Sequence, residues 1–215
     1  MKKIIALFLT FVMCLSGTVS AVAVQDEKLS ETEIMLLAEK YGVNVTINSM
    51  DIKDYQPISI TREELVSLFK QIAAEDKTLY DMGEIVIDSE MPERGVGRYI
   101  FRKWTPLRYG SFLGPSFSMT ACRNARFEYN YANYNGLPRF TSEKDVKSWL
   151  SGVFLGVGWT ELGSIVSFSK TNYYNDTANV KVDGYTYIGL DYEGLHLCVQ
   201  LPPETWRFTL RFKSN

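Results

Sequence analysis

An alternation of apolar and polar residues over positions 117–131 constrains this chain more than any other feature. The odd positions of this segment hold Phe117, Met119, Ala121, Ala125, Phe127, Tyr129 and Tyr131, and only Arg123 interrupts the apolar series. The even positions, from Ser118 to Asn130, hold polar residues and one cysteine. Successive side chains of a strand point to opposite faces. The pattern therefore predicts one long strand with a buried face and a solvated face, bent by a bulge near Arg123.

Three aromatic residues of that strand, Phe127, Tyr129 and Tyr131, occupy every second position. Rings at this spacing suit either a stacking platform for a ligand or one packed face of a core. The odd-numbered series continues upstream through alanines and other residues that cannot stack, which favours the packed face. Only Tyr134, beyond the end of the predicted strand, is then expected to contact a ligand.

Shorter alternating segments surround the long strand. They predict strands at 98–104, 140–149, 178–183, 185–192, 195–201 and 205–212, with turns at 133–138, Asp183-Gly184 and Glu193-Gly194. For the predicted strand at 140–149, a helical turn over 142–145 is an alternative. Glycine, proline and several charges predict a loop or linker over 89–97. Many short strands separated by turns predict an antiparallel sandwich or barrel over about 96–215.

Two capping boxes predict two helices before the β-region. Ser30 stands three residues before Glu33, and Thr61 stands three residues before Glu64, the spacing needed for reciprocal capping. An apolar stripe follows each box, over roughly 62–75 in the second case, and Gly42 is placed to end the first helix. Short strands are predicted at 43–47 and 84–88. The predicted fold class is α+β, with a helical and mixed region over 24–95 and a β-domain over 96–215.

The first 23 residues have the composition of a signal peptide. Lys2 and Lys3 precede an apolar run over 4–15, and small residues favour cleavage after Ala23. The apolar run is short for a segment that crosses a bilayer, which favours a cleaved signal peptide. A membrane anchor that stays attached to the protein is the alternative. Bulky residues directly before Cys14 argue against lipidation there. We therefore expect a secreted, extracellular protein.

The charge balance excludes a polycation. The chain has 23 basic and 25 acidic side chains, a formal net charge of −2, and the predicted signal peptide would remove two of the lysines. Nucleic-acid-binding domains carry a basic excess, and export also argues against that class. No nucleic-acid partner is expected.

The cysteines and the histidine offer several chemistries. Cys122 and Cys198 remain after signal cleavage, and exported proteins favour oxidised pairs, so we predict one disulfide, with two unpaired thiols as an alternative. His196 shares a strand face with Cys198. A Cys–His nucleophile pair, or a metal site joined by Asp191 and Glu193, is a further alternative. Two cysteines and one histidine are too few for an ordinary structural zinc site, and no metal or cofactor is predicted.

Other catalytic patterns are weak. The sequence contains no Gly-x-Ser-x-Gly elbow, and one histidine restricts any triad. Pairing Glu128 with Asp191 or Glu193 would suit glycoside hydrolysis, but acids are numerous enough that some pair is inevitable. Gly156 and Gly158 resemble part of a dinucleotide turn but lack the third glycine. No catalytic residue is predicted.

An apolar stretch over 150–169 contains a single charged residue, Glu161. So few charges suit a membrane-inserting hairpin, as in a pore-forming or bacteriocin-like protein. The alternation over 165–169 gives no continuous lipid-facing side. We predict two core strands joined by a glycine-rich connection, and no membrane insertion.

Tyrosine is frequent, with 13 in the chain, and some tyrosines fall in predicted loops beside asparagine. Such a composition is typical of recognition surfaces, although tyrosine also fits half-buried sheet positions. The loop tyrosines predicted to bind a ligand are Tyr134, Tyr173 and Tyr174.

Three strand patterns together resemble small exported β-rich proteins of Gram-positive bacteria. The patterns are Phe127-x-Tyr129-x-Tyr131, Arg139-Phe140-Thr141-Ser142 after a short turn, and Trp206-x-Phe208-x-Leu210-x-Phe212. Many such proteins have a signal peptide, a helical N-terminal segment and no assigned activity. The resemblance covers 98–215. It implies a secreted, Gram-positive setting and a compact β-domain, and it assigns no functional residue.

These features predict a secreted, non-enzymatic binding or interaction domain that acts at or outside the cell envelope. The expected partner is an envelope component, either a polysaccharide or a protein. A hydrolase of an envelope polymer and a membrane-active protein are the alternatives.

Overall fold

The computed structural model of the chain describes residues 28–48, 58–88, 92–106, 120–152, 156–171 and 174–213. The predicted signal peptide with Cys14, and the start of the alternating segment at 117–119, lie outside these residues. The described elements, in chain order, are α1 (Glu31–Tyr41), β1 (Val45–Ile47), β2 (Ile58–Ser59), α2 (Arg62–Ala73), β3 (Thr78–Ile87), β4 (Arg94–Pro106), β5 (Thr120–Tyr134), β6 (Leu137–Gly152), β7 (Val157–Ser169), β8 (Thr177–Tyr192), β9 (Leu195–Gln200) and β10 (Glu204–Phe212). Strands dominate and two helices precede most of them, which confirms the predicted α+β class.

Both predicted capping boxes are present. The Ser30 hydroxyl accepts a hydrogen bond from the Glu33 N–H while the Glu33 carboxylate accepts one from the Ser30 N–H, and Thr61 and Glu64 repeat the arrangement. α1 ends at Gly42, whose φ of 66° is the left-handed conformation that glycine adopts without strain. The sequence signals for both helices are thus confirmed.

The strands form two sheets. A seven-stranded sheet has the order β1-β9-β8-β10-β3, with β2 and β7 also paired to β8, and a three-stranded sheet has the order β4-β5-β6. Most neighbours are antiparallel, as predicted, but β3 is parallel to β10 and β2 is parallel to β8. The predicted boundary between residues 95 and 96 lies inside β4, and β3 from before it pairs with β10 from after it.

One face of the seven-stranded sheet is covered at both ends. The two helices cover one end, where side chains of α1 and α2 pack on Leu190 and Leu197. The three-stranded sheet covers the other end, where Phe101 and Phe127 pack with Val180 and Phe208. Of the two predicted β-arrangements, the sandwich is the one found.

The aromatic ladder of β5 belongs to this core. Phe127, Tyr129 and Tyr131 are 0%, 1% and 6% exposed, which confirms the predicted packed face. The Tyr129 ring centroid lies 4.8 Å from that of Phe140 and 6.2 Å from that of Phe212. The ladder therefore joins the two sheets.

Glycines of β4 make room for that ladder. Gly95 and Gly97 stand opposite Tyr131 and Tyr129, and the two rings lie over them. A Cβ atom at position 95 would lie 2.5 Å from the Tyr131 hydroxyl oxygen. The loop predicted over 89–97 is therefore wrong from Arg94 onward, because these glycines serve close packing within a strand rather than a turn.

Another glycine signal also has a packing origin. The hairpin turn predicted at Asp183-Gly184 is wrong, since both residues lie inside β8. A Cβ atom on Gly184 would meet the Trp159 indole, so this glycine accommodates a neighbouring ring. The turn predicted at Glu193-Gly194 is confirmed, and φ angles of 49° and 85° fit a tight hairpin.

The second face of β5 is less solvated than the alternation predicts. Cys122, Asn124 and Glu128 are buried although they point away from the core. β5 is the central strand of its sheet, and longer side chains of β4 and β6 flank these residues on both sides. The bulge predicted near Arg123 is also wrong, because register shifts occur after Glu128 and after Asn130.

Arg123 instead forms a buried bridge between the sheets. It is 1% exposed, and its Nε and Nη2 donate to the Glu204 carboxylate at 2.9 Å and 2.8 Å. Its guanidinium also lies 3.8 Å from the Tyr80 ring centroid. Glu204 accepts further hydrogen bonds from Trp206 Nε1 at 2.9 Å and Thr186 Oγ1 at 3.3 Å. Each charge is therefore compensated by several partners.

Asp183 gives an acid-sensitive contribution to stability. Partial burial opposes ionisation, but hydrogen bonds from Lys181, Lys77 and Thr205 outweigh it and hold the pKa of Asp183 well below its usual range. A carboxyl with a lowered folded-state pKa stabilises the fold above its unfolded pKa of about 4, and that contribution is lost as the pH falls. We expect Asp183→Asn to reduce the free energy of unfolding at pH 7 and to flatten its decline below about pH 4.

Urea unfolding at pH 7 and at several acidic values measures this effect. Asp76 offers a control, because it is exposed and Asp76→Asn should lower the free energy of unfolding at pH 7 less than Asp183→Asn does. Identical acid sensitivity in the Asp183 variant and the parent chain would contradict the assignment.

Candidate functional site

The outward side of the three-stranded sheet carries basic and apolar residues in alternation. Even-numbered residues of β4 are exposed there, while its odd-numbered residues point toward the core. We call this side the cationic face, and it consists of Arg94, Val96, Arg98, Ile100, Arg102 and Trp104 on β4, Asn124, Arg126, Glu128, Asn130 and Ala132 on β5, and Arg139, Ser142, Asp145, Lys147 and Trp149 on β6.

The charge of this face is opposite to that of the whole chain. Its six basic residues are Arg94, Arg98, Arg102, Arg126, Arg139 and Lys147, against two acidic residues. Glu128 lies 2.7 Å from Arg98 and 3.4 Å from Arg126 Nε, the longer contact being an ion pair without hydrogen-bond alignment. Asp145 lies 2.8 Å from Arg126 and 4.0 Å from Lys147. Two carboxylates thus hold several cations in place, and a positive excess remains.

Two exposed indoles stand among these charges. Trp104 is 63% exposed on β4 and Trp149 is 36% exposed on β6. Asn124 on β5 pairs with Arg102 on β4 and with Trp149 on β6, and its Nδ2 donates to Ser151 Oγ at 2.8 Å and to the Trp149 carbonyl at 3.3 Å. Exposed aromatic rings beside arginine are enriched where proteins contact ligands.

Tyr134 lies at one end of the cationic face. It is 45% exposed, and the Arg139 guanidinium carbon lies 3.4 Å from its ring centroid. Tyr134 also lines a cleft of about 400 Å³ together with Glu93, Arg94, Asn133, Asn135 and Gly136. This predicted ligand-binding tyrosine therefore borders both a concave site and the basic surface.

The other two predicted ligand-binding tyrosines lie in the connection between β7 and β8. Tyr174 is 73% exposed, and the Lys170 ammonium lies 5.5 Å from its ring centroid. Tyr173 lies outside the described residues. Tyr174 does not line the cleft at Tyr134, so the structure does not unite the predicted residues in that site.

The predicted disulfide is not formed. Cys122 and Cys198 are both free thiols, the first on the outward side of the three-stranded sheet and the second in the seven-stranded sheet. Cys122 is buried with its Sγ 3.6 Å from Asn124 Oδ1. The structure therefore has the alternative that the sequence left open, two unpaired thiols.

Cys198 and His196 share the face of β9 opposite Leu197 and Val199, as the alternation predicts. Burial raises the pKa of the Cys198 thiol, and a hydrogen bond with Thr46 only partly offsets that rise. A nucleophilic cysteine needs the opposite shift. His196 Nδ1 lies 3.2 Å from Asp191 Oδ2 without forming an aligned hydrogen bond. The geometry therefore does not favour thiol catalysis.

The carboxylates proposed as a hydrolytic pair are not brought together. Glu128 lies on the cationic face, whereas Asp191 and Glu193 lie at the end of β8 in the other sheet. Asp191 accepts a hydrogen bond from the Gly194 N–H at 3.0 Å, and Glu193 lies 3.7 Å from Lys28. Within the described ranges, no group of three or more His, Cys, Asp or Glu side chains could hold a metal ion.

The cationic face was not anticipated, although the sequence contains a signal for it. Arg94, Arg98 and Arg102 recur at every fourth position, with apolar residues midway between them. Strand periodicity places all of these on one side. Because 89–97 was assigned to a loop, Arg94 was separated from Arg98 and Arg102, and the full length of the series was not recognised.

The fold and surface define the class of this protein as a β-rich α+β sandwich with a basic outer sheet face. Comparison with protein-family models, curated proteins and solved structures finds no match. Neither described helix has the length and apolar character needed to cross a membrane.

Proposed function

We propose that this chain is an exported, non-enzymatic binding domain that attaches to an anionic polymer of the cell envelope through the cationic face. The proposal rests on the charge of that face, which has six basic and two acidic residues, whereas the whole chain has a formal net charge of −2. Complementary charge attracts and orients a partner before contact. Export and a Gram-positive setting enter the proposal from the N-terminal pattern and the resemblance of the strands.

The geometry of β4 supports an extended ligand. Arg94, Arg98 and Arg102 recur every four residues, about 13 Å apart at about 3.3 Å per residue. Val96 and Ile100 lie between them and are 56% and 39% exposed. A linear polymer with repeated charges and apolar ring faces would match this alternation along the whole strand, whereas a compact anion would engage only one part.

The indoles favour a carbohydrate among anionic polymers. Trp104 and Trp149 are exposed beside the charges. Aromatic rings bury a large apolar area with little loss of conformational freedom, and pyranose rings have a complementary apolar face. We therefore assign an acidic polysaccharide as the ligand class.

The two acids of the face support the non-enzymatic part of the proposal. Glu128 and Asp145 are both engaged by arginine, at 2.7 Å and 2.8 Å. General acid–base catalysis requires a group that can reach the substrate and exchange a proton at working pH. Carboxylates fixed between cations suit structural support of a basic surface instead.

Removing two cations from the face tests the function. Arg102 and Lys147 are exposed, and Arg102→Gln/Lys147→Gln is expected to weaken binding to immobilised polygalacturonate about 30-fold. That estimate takes about 1 kcal/mol for each basic side chain near an anionic surface. Biolayer interferometry at low and at physiological salt measures the affinity, and added salt should weaken binding by the parent chain.

A matched variant separates this face from overall charge. Arg207 and Lys70 are exposed on β10 and α2, so Arg207→Gln/Lys70→Gln removes the same charge elsewhere and should change the affinity less than twofold. Equal losses in the two double variants, or equally tight binding to neutral dextran, would refute the assignment of the ligand and its surface.

A further inference from the structure

The cleft at Tyr134 has the features of a site for a single ligand unit. It lies where β4 begins and where β5 turns into β6, at one end of the cationic face. Its volume of about 400 Å³ falls within the range of small-molecule sites in proteins. The hairpin turn at Asn135 and Gly136 has φ angles of 54° and 81°, so its wall is a tight turn with a defined backbone.

Two arginines supply positive charge at this end of the face. Arg94 on β4 lines the cleft, and Arg139 on β6, on the other side of Ala132, borders the cleft through its contact with Tyr134. The Cα atoms of the two arginines are two strand spacings, about 10 Å, apart, and Ala132 between them is buried, so neighbouring side chains cover this position. Arg139 is stacked on Tyr134 at 3.4 Å. A stacked guanidinium keeps its N–H edge available for a carboxylate or phosphate, which arginine binds with two parallel hydrogen bonds.

The remaining polar groups of the cleft suit hydroxyl groups. Glu93 contributes a carboxylate that accepts hydrogen bonds, and the Asn133 and Asn135 side chains carry amides. A bare inorganic anion would meet the arginines but would be repelled by Glu93. A neutral sugar would satisfy the amides and Glu93 but would leave the arginines without an anionic partner.

We propose that this cleft binds one acidic sugar unit, with its carboxylate or phosphate at Arg94 and Arg139 and its hydroxyl groups at Glu93 and the asparagine amides. This assignment rests on the proposed function, because the cleft then receives a unit at the end of a polymer that lies along the cationic face. It adds a defined position and a chemical requirement, since one unit must carry both an anionic group and hydroxyl groups.

Titration of the purified chain with monosaccharides tests the cleft. The two acidic sugars are glucuronate and glucose 6-phosphate. The controls are glucose, which has hydroxyl groups but no anionic group, and inorganic phosphate, which is an anion without a sugar. At least one acidic sugar is expected to bind at least tenfold more tightly than both controls and to shift the backbone amide signals of Asn135 and Gly136. The acidic sugar that binds more tightly identifies the anionic group that the cleft prefers.

Substitutions locate the binding. Arg139→Gln is expected to weaken acidic-sugar binding at least tenfold, whereas Arg207→Gln, which removes an exposed arginine from the other sheet, should leave it unchanged. The melting temperature of each variant reports whether the fold is retained. If neither acidic sugar binds more tightly than glucose and phosphate, or if Arg139→Gln has no effect in a folded variant, the proposal is overturned.

The outcome is separable from that of the proposed function. If no acidic monosaccharide binds while polygalacturonate still binds and remains sensitive to Arg102→Gln/Lys147→Gln, the cleft assignment is overturned and the proposed function is retained. If acidic monosaccharides bind and polygalacturonate does not, the cleft assignment is retained and the polymer-binding function is overturned.

Discussion

Glu204→Gln is expected to lower the free energy of unfolding by about 3–5 kcal/mol, a large share of the stability of a typical domain. The carboxylate of Glu204 compensates the Arg123 guanidinium, which is 1% exposed between the two sheets. The amide has no charge and can accept from only one of the two nitrogens that now donate to the carboxylate. The variant therefore leaves a buried cation without its counterion, and urea unfolding measures the loss.

A surface pair provides the control for this prediction. Arg211 and Glu84 also join neighbouring strands through an arginine and a glutamate, at 2.7 Å, but their side chains are 31% and 47% exposed. Glu84→Gln should cost less than about 1 kcal/mol, because solvent screens that pair. Similar losses for the two glutamates would show that burial of the Arg123–Glu204 pair is not what makes it important. Arg123→Met/Glu204→Leu should recover part of the loss, since it removes both charges.

Gly97→Ala is expected to destabilise the chain by about 1–3 kcal/mol, although it replaces a flexible residue within a strand. The added methyl group would overlap the Tyr129 ring. Tyr129 is held by surrounding rings, with centroids 5.3 Å away at Phe127 and 4.8 Å away at Phe140, so it cannot move without disturbing the core. A lower thermal midpoint and a changed near-ultraviolet circular dichroism spectrum would record the displacement.

Gly163 is the matched control for that substitution. A Cβ atom at Gly163, also in a strand, would meet nothing within 4 Å among the described residues, so Gly163→Ala should be neutral or slightly stabilising. Combining Gly97→Ala with Tyr129→Val should cost less than the sum of the two single changes, because the smaller side chain relieves the overlap. Additive losses would argue that Gly97 is required for another reason.

Local signals predicted those elements whose causes are local. The capping boxes at Ser30 and Thr61 identified both helices, since the groups that begin each helix are three residues apart in the chain. The ladder of β5 was also predicted as a core face, because strand periodicity is a property of the backbone. Of the turn predicted over 133–138, only Asn135-Gly136 forms the turn, and these residue types match the required φ angles.

Long-range causes explain the elements that were not predicted. Gly95 and Gly97 were assigned to a loop or linker and Gly184 to a turn, yet each faces an aromatic ring from another strand. Arg123 was interpreted as a defect in the apolar series, because its partner Glu204 lies 81 residues away. The parallel pairing of β3 with β10 is equally invisible to hairpin signals, which identify only neighbours in sequence.

The candidate site was predicted only at its end. Tyr134 was selected because a loop position was expected for it; it is instead the last residue of β5, and it borders the cleft with Arg94. The cationic face itself depends on side chains from three strands, and the register that sets them side by side is not encoded in any one of them. Arg126 and Arg139 were therefore not recognised as neighbours of the arginines on β4.

The spacing of arginines on β4 also bears on whether two copies of this chain can merge their sheets. Among the described residues, β4 is hydrogen-bonded to β5 alone, and such an edge invites a second strand. Antiparallel pairing of two copies centred on Arg98 would set Arg98 against itself and Arg94 against Arg102, while a centre at Ile100 would set Arg98 against Arg102. Like charges directly opposite each other repel. The charges proposed to attract a polyanion thus also discourage aggregation through this open edge.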